Sequence, residues 1–150
     1  MKMKKLIMIG LCMVMLTTIC TGCSSTSTSS GNGGKTQQKK IPDLRGEWKQ
    51  ENSKSNDSYQ AATISDETIT IYWISDNGDT KSLYWAGSFE APKTADEPYS
   101  WTSKNDHSKT ETALLASGDD TKTITYENGV LSYEASAMGT TTKIILEKQK

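Results

Sequence analysis

The chain has 150 residues and a formal net charge of −1, a length typical of one modest domain. The charges are unevenly placed. Residues 41–150 hold 11 of the 17 basic residues against all 18 acidic ones, which gives this part a formal charge of −7. Binding of nucleic acid through its phosphates requires clustered Lys and Arg, so we expect no nucleic-acid partner.

The first 22 residues have the pattern of a secretory signal peptide. Three lysines lie within Met1–Lys5, and an apolar or weakly polar stretch follows from Leu6 to Ile19. A basic start, a short apolar stretch and a small residue before the cleavage point are typical of such a signal. The apolar stretch is shorter than the roughly 20 residues that a membrane-spanning helix needs. We therefore predict that residues 1–22 are removed on export.

The residues around the predicted cleavage point are Cys20-Thr21-Gly22-Cys23. They resemble the lipobox of bacterial lipoproteins, although Cys20 stands where that box usually carries Leu. The resemblance implies that the Cys23 thiol receives a diacylglycerol and anchors the protein to the outer face of the cell membrane. The alternative is an ordinary cleaved signal in which the cysteine is incidental. After lipoprotein processing Cys12 and Cys20 would be lost, so no disulfide is expected.

After Cys23 the chain is predicted to be a flexible tether as far as residue 40. This segment is rich in Ser, Thr and Gly and has no acidic or large apolar residue. Such a composition does not bury enough surface to offset the entropy lost on ordering. The predicted organisation is therefore a signal peptide at 1–22, a lipidated cysteine with its linker at 23–40, and a folded domain at 41–150.

In the predicted domain, apolar residues alternate with polar ones and turn residues separate short runs. This pattern, rich in Thr, Ile, Tyr and Trp, is typical of β-strands. No stretch has convincing helical periodicity. Nine strands are predicted, at 44–51, 59–64, 67–74, 81–89, 99–103, 111–117, 121–127, 130–137 and 140–148.

Tight turns predict the register of three hairpins, because opposed residues of antiparallel strands share a face. The turns are Asp66-Glu67, Asn128-Gly129 and Met138-Gly139. Asn-Gly is the strongest of these signals. The predicted pairs are Ile64 with Ile69, Tyr126 with Leu131, Ile124 with Tyr133, Tyr133 with Ile144, and Leu131 with Leu146.

The hairpin at Asp76-Asn77-Gly78 allows two registers. A two-residue turn would place Trp73 opposite Ser82 and split the apolar faces of the two strands. A three-residue loop with Gly78 at positive φ instead places Ile71 opposite Leu83 and Ile69 opposite Trp85. We prefer the three-residue loop, which turns Trp73 and Trp85 inward and Tyr72 and Tyr84 outward.

Consecutive hairpins form an up-and-down meander, and closing such a sheet removes its exposed edges. We predict an all-β fold of about eight to nine antiparallel strands in a small barrel, with a β-sandwich as the alternative. Leu44-Arg45-Gly46-Glu47-Trp48 resembles the G-x-W opening of lipocalin-like barrels, which implies that Trp48 plugs one end. That family places an arginine of the last strand over the tryptophan. Here the last strand offers Lys143, Lys148 or Lys150.

No catalytic or metal-binding residues emerge from the sequence. His107 is the one histidine and lies in a polar loop beside Asp106 and Ser108, and adjacency does not assemble a triad. Zinc needs three or four nitrogen or sulfur ligands, and the paired acids at turns lack calcium-loop spacing. We expect a protein that is not an enzyme and has no cofactor.

The aromatic residues admit three interpretations. Trp48, Trp73, Trp85 and Trp101 are predicted to form the core. The tryptophans could also line an aromatic cup, or Tyr72 and Tyr84 could form an outer strip that binds a partner.

The chain further resembles small lipoproteins of Gram-positive bacteria that are often encoded in prophages. The likeness rests on the lipobox, the spacer and the runs SDNGDTKSLYWAGSFEAP and ALLASGDDTKTITY. Two functions remain open. One is a monomeric, membrane-anchored, non-catalytic binding module for a protein or a small apolar ligand. The other is a surface protein of the prophage that interferes with superinfection.

Overall fold

The structure is a computed structural model that describes residues 39–137 and 139–150. The predicted signal peptide, Cys23 and most of the predicted linker lie outside these residues. These residues form eight strands. They are β1 (Gly46–Gln50), β2 (Tyr59–Ser65), β3 (Thr68–Ser75), β4 (Thr80–Ser88), β5 (Tyr99–Lys104), β6 (Thr121–Glu127), β7 (Val130–Ala137) and β8 (Thr140–Lys148). The described residues also contain a tight turn at Asp76–Gly78, in which all three residues have positive φ, and a single-turn helix α1 (His107–Thr110).

All eight strands are antiparallel and form one sheet in the order β4-β3-β2-β1-β8-β7-β6-β5. Consecutive strands of the chain therefore pair with each other, except β4 and β5, and β1 also pairs with β8. The sheet curls into a nearly closed barrel whose remaining seam lies between β4 and β5. The prediction of an all-β, up-and-down barrel is confirmed.

Loop backbone and side chains close the seam in place of a regular ladder. One isolated bridge joins Gly87 to Asn105. The backbone N–H groups of Asp106 and Ser117 donate to the carbonyls of Ala86 and Tyr84, each at 2.8 Å. These hydrogen bonds use backbone groups on the free edge of β4 that could otherwise pair with another strand.

The predicted strand at 111–117 is wrong. After α1 the chain continues in turns, with Ala113 N–H donating to Thr110 O at 3.0 Å and Ala116 N–H to Ala113 O at 3.1 Å. Among the backbone hydrogen bonds of this segment, the one from Ser117 N–H to Tyr84 O reaches the edge of β4, and the others close local turns. Its adjacent leucines also do not alternate with polar residues as a half-buried strand requires.

The three predicted tight turns give the predicted registers. Ile64 pairs with Ile69, Tyr126 with Leu131, and Tyr133 with Ile144. Leu131 also pairs with Leu146. The β6–β7 ladder, however, ends at Thr125 and Ser132, so the predicted pair of Ile124 with Tyr133 does not form.

The predicted register between β3 and β4 is wrong. Near the turn Trp73 pairs with Ser82, and the loop comprises four residues, Asp76 to Asp79. A bulge then shifts the ladder between Ile71 and Tyr72, so that Ile71 and not Ile69 lies opposite Trp85. The turn sets a register that would point the apolar residues of the two strands to opposite faces of the sheet. The extra residue of the bulge corrects this, so that the apolar residues beyond it point into the barrel together. Gly78 does take the predicted positive φ, at 104°.

The bulge explains the one misplaced tyrosine. Tyr84 is the extra residue of β4, and both it and the adjacent Trp85 are buried. The prediction that Tyr84 faces outward is therefore wrong. Trp48, Trp85 and Trp101 lie in the core, and Trp73 packs against it while remaining partly exposed.

Candidate functional site

One end of the barrel opens into a cup of about 310 Å³, which we call the mouth cup. The chain leaves β1, β3 and β7 at this end. The cup has a mainly apolar wall from the strands and a polar rim from the segment between β1 and β2. Its lining residues are Trp73, Ala135, Ala137, Ile144, Thr140, Thr142, Gln50, Asn52, Ser53, Lys54 and Ser58. Lys54 is the one charged member of this set.

The rim of the mouth cup is held in place by side-chain hydrogen bonds. Asn52 donates from Nδ2 to Lys143 O at 2.8 Å and accepts from Ile145 N–H at 3.1 Å, so its amide extends the β1–β8 pairing. The Ser53 hydroxyl donates to Ser58 O at 2.6 Å and closes the loop on itself. A rim that is already ordered loses little conformational entropy when a ligand binds.

A buried polar cluster lies deeper in the barrel and is linked to the cup through Trp73. The Trp73 ring meets Tyr84 edge-on, with 5.5 Å between centroids, and Trp73 pairs with Gln60 across the β2–β3 ladder. Gln60 is completely buried and accepts a hydrogen bond from the Tyr133 hydroxyl. Burial raises the pKa of Tyr133 well above its ordinary value, and the nearby Tyr84 adds to the effect. Tyr133 therefore stays protonated and keeps donating to Gln60.

Two atoms of this cluster have no hydrogen-bond partner among the described residues: Gln60 Nε2 and the Tyr84 hydroxyl. Both are sealed from solvent. An unsatisfied buried polar group costs about 1–3 kcal/mol. These two atoms place hydrogen-bonding capacity behind the Trp73 wall of the cup.

Lys122 spans the gap where β6 and β7 separate. Its ammonium donates to Asp119 Oδ2 at 3.1 Å and to Glu134 O at 3.2 Å, the latter in place of a ladder bond. It also lies 5.3 Å and 5.1 Å from the ring centroids of Tyr84 and Trp85. The Ser117 hydroxyl and then the Lys122 ammonium hold the pKa of Asp119 below its usual range. Lys122 is thus paired on every side and closes the barrel wall.

Sequence reasoning passed over Gln60 and Lys122. Both occupy inward positions of the alternating pattern, Lys122 two residues before Ile124 and Gln60 two before Ala62. A polar residue at an inward position is the signal that could have identified them, because such residues are rarely buried without a partner.

The predicted outer tyrosine strip does not form. Tyr72 is half-buried on the outer face, with the Lys81 ammonium 5.4 Å from its ring centroid, but Tyr84 points into the barrel. Cys23, the predicted lipid-attachment residue, lies outside the described residues. The aromatic cup remains, with Trp73 as its one tryptophan.

Trp48 is the middle residue of β1 and is buried. Its indole N–H donates to Leu44 O at 2.9 Å, and the Lys148 ammonium lies 5.9 Å from its ring centroid. A lysine of the last strand thus occupies the position over the tryptophan where lipocalin-like barrels use arginine.

Within residues 39–137 and 139–150, no three side chains of His, Cys, Asp or Glu come close enough together to hold a metal ion. His107 Nε2 instead lies 3.0 Å from Asp120 Oδ1 on the surface. The helices of this part of the chain are too short to cross a membrane. No protein-family model, curated protein or solved structure matches the chain.

Proposed function

We propose that this protein is an exported bacterial lipoprotein that binds a small, partly apolar ligand at its mouth cup and performs no catalysis. The observation that carries the proposal is the cup itself, an ordered opening at the mouth of a barrel. Barrel mouths are preferred ligand sites, and pockets of about 300–1,000 Å³ accommodate small molecules. The ligand would pack an apolar group against Trp73, Ala135 and Ile144 and meet the polar rim with its other end.

The proposed anchor rests on the sequence before the barrel. A basic start, a short apolar stretch and Gly22-Cys23 together favour lipid attachment at Cys23. Two acyl chains give stable membrane attachment where a single chain is marginal. The barrel would then act on the outer face of the membrane at the end of its tether.

Replacing Cys23 with serine is expected to release the protein from the membrane fraction or to leave the uncleaved precursor. Serine has no thiol to receive the diacylglycerol, so the anchor is not formed. Fractionation of cells, with the mass of the mature protein as a second readout, measures the effect. Membrane retention equal to that of the native chain would remove the anchor from the proposal.

Filling the mouth cup is expected to weaken ligand binding without unfolding the barrel. Ala137 is exposed and lines the cup, so Ala137→Phe occupies the opening without crowding the core. With the dye 1-anilinonaphthalene-8-sulfonate as probe, we expect the Kd to rise about tenfold, which corresponds to about 1.4 kcal/mol. The measurement is a fluorescence titration of the folded protein.

Ser136→Phe is the matched control, because Ser136 is the next residue along β7, is also exposed and faces the other side of the strand. It is expected to leave the Kd of the dye unchanged. Equal weakening by both substitutions, or by neither, would place the dye elsewhere and argue against the cup.

A further inference from the structure

The segment between α1 and β6 exposes two adjacent leucines. Leu114 is 97% exposed and Leu115 51% exposed, and one further large hydrophobic residue, Ile41, is exposed among the described residues. Neither leucine belongs to the core cluster. Single exposed apolar residues are normal on a protein surface, whereas an adjacent pair at the tip of an ordered loop marks a contact site.

The loop that carries the leucines is fastened to the barrel on both sides of them. Before the pair, Asp106 N–H donates to Ala86 O at 2.8 Å, and the Thr110 hydroxyl donates to Asn105 Oδ1 at 2.7 Å. After the pair, Ser117 N–H donates to Tyr84 O at 2.8 Å. The loop therefore holds Leu114 away from the barrel surface, and little further ordering is needed when the leucines are buried elsewhere.

We propose that Leu114 and Leu115 insert into the outer leaflet of the membrane to which the chain is tethered. This inference rests on the proposed lipid anchor at Cys23. Fifteen residues lie between Cys23 and Lys39, where the described structure begins. A chain of that composition spans roughly 20–25 Å on average and about 55 Å when stretched. The proposed tether thus keeps the bilayer close to the barrel that carries the loop.

Tethering converts a weak contact into an intramolecular one. The effective concentration set by a short flexible linker is on the order of millimolar. Two leucines that would hold a free protein on a bilayer only briefly can therefore orient a tethered one. The result is a barrel that lies on the membrane by its β4–β5 side.

The charges around the leucines favour apolar insertion over electrostatic attraction. The seven residues from Thr112 to Gly118 are uncharged, so the loop tip brings no charge into the bilayer interface. The domain as a whole is acidic and gains nothing from anionic lipid. The contact is therefore expected to withstand high salt and to require no anionic headgroup.

The test uses the full lipidated chain in phosphatidylcholine vesicles, with and without phosphatidylglycerol. Leu114→Cys carries an environment-sensitive fluorophore, and Thr141→Cys is the control. Thr141 is exposed on β8, which the cyclic strand order places opposite the β4–β5 seam. We expect the label at 114 to shift its emission to the blue and to be quenched several-fold more by brominated lipid than the label at 141. Adding Leu115→Gln is expected to reduce that quenching, and high salt is expected to leave it unchanged.

Flotation of the vesicles and the mass of the lipid on Cys23 are measured first, which separates this inference from the anchor. Protein that floats with its vesicles but shows equal quenching at 114 and 141 overturns the insertion and leaves the anchor standing. Quenching at 114 that disappears in high salt or without phosphatidylglycerol also overturns it. Protein that does not float overturns both the anchor and the insertion.

Discussion

Trp85→Ala is expected to destabilise the barrel by about 3–5 kcal/mol, the usual cost of truncating a buried tryptophan. Trp85 is completely buried and lies opposite Ile71. Its indole N–H donates to Ser103 Oγ at 3.0 Å, which ties β4 to β5 across the seam. The truncation therefore leaves a cavity and also an unpaired Ser103 hydroxyl. Domains of this size have a free energy of unfolding of roughly 5–15 kcal/mol, so the loss is a large share of the total.

Urea denaturation followed by circular dichroism measures the change in the free energy of unfolding. Tyr72→Ala is the control, because Tyr72 is only half-buried and lies on the outer face of β3. Its truncation is expected to cost about 1 kcal/mol or less. Equal losses for the two variants would contradict the bulge that separates the inner from the outer residues of β3 and β4.

Gly87→Ala is expected to open the seam between β4 and β5. A Cβ atom at Gly87 would lie 2.5 Å from Ser103 Oγ and 2.6 Å from both Lys104 O and Trp85 Nε1. Real Cβ atoms essentially never come this close to a non-bonded atom, so β5 or the Trp85 side chain must move. Overpacking of this kind usually costs about 1–3 kcal/mol, and here it also disrupts the Trp85–Ser103 hydrogen bond.

Amide hydrogen exchange locates the effect of Gly87→Ala. Exchange is expected to accelerate in β5 and around the Gly87–Asn105 bridge, while the β7–β8 ladder keeps its protection. Gly118→Ala is the matched control, since no atom lies within 4 Å of a Cβ built there. It is expected to change stability by no more than about 0.5 kcal/mol. Tolerance of alanine at both glycines would mean that the close contact at Gly87 does not hold the barrel closed.

The sequence by itself determined the local geometry of this protein. Alternating apolar residues identify the eight strands, and tight turns such as Asn128-Gly129 set the register of the strands beside them. These features depend on residues a few positions apart, so they can be predicted from the order of residues in the chain. The same applies to the inward direction of Trp48 and Trp101.

The tertiary structure decided what depends on distant partners. The bulge between Ile71 and Tyr72 forms because the parity set by the Asp76–Asp79 loop conflicts with the inward face that the rest of the barrel demands. The segment at 111–117 is not a strand because its backbone bonds close local turns, and it meets the edge of β4, some 30 residues earlier, through Ser117.

The candidate site belongs to this second class. The mouth cup brings Trp73 together with Ala135 and Ile144, which are about 60–70 residues away in the chain. The buried polar cluster behind the cup forms because the Tyr133 hydroxyl contacts Gln60, 73 residues away in the chain. The alternation of polar and apolar residues predicts which side chains point inward. Closure of the barrel alone decides which of those side chains meet, because closure joins strands that no local turn connects.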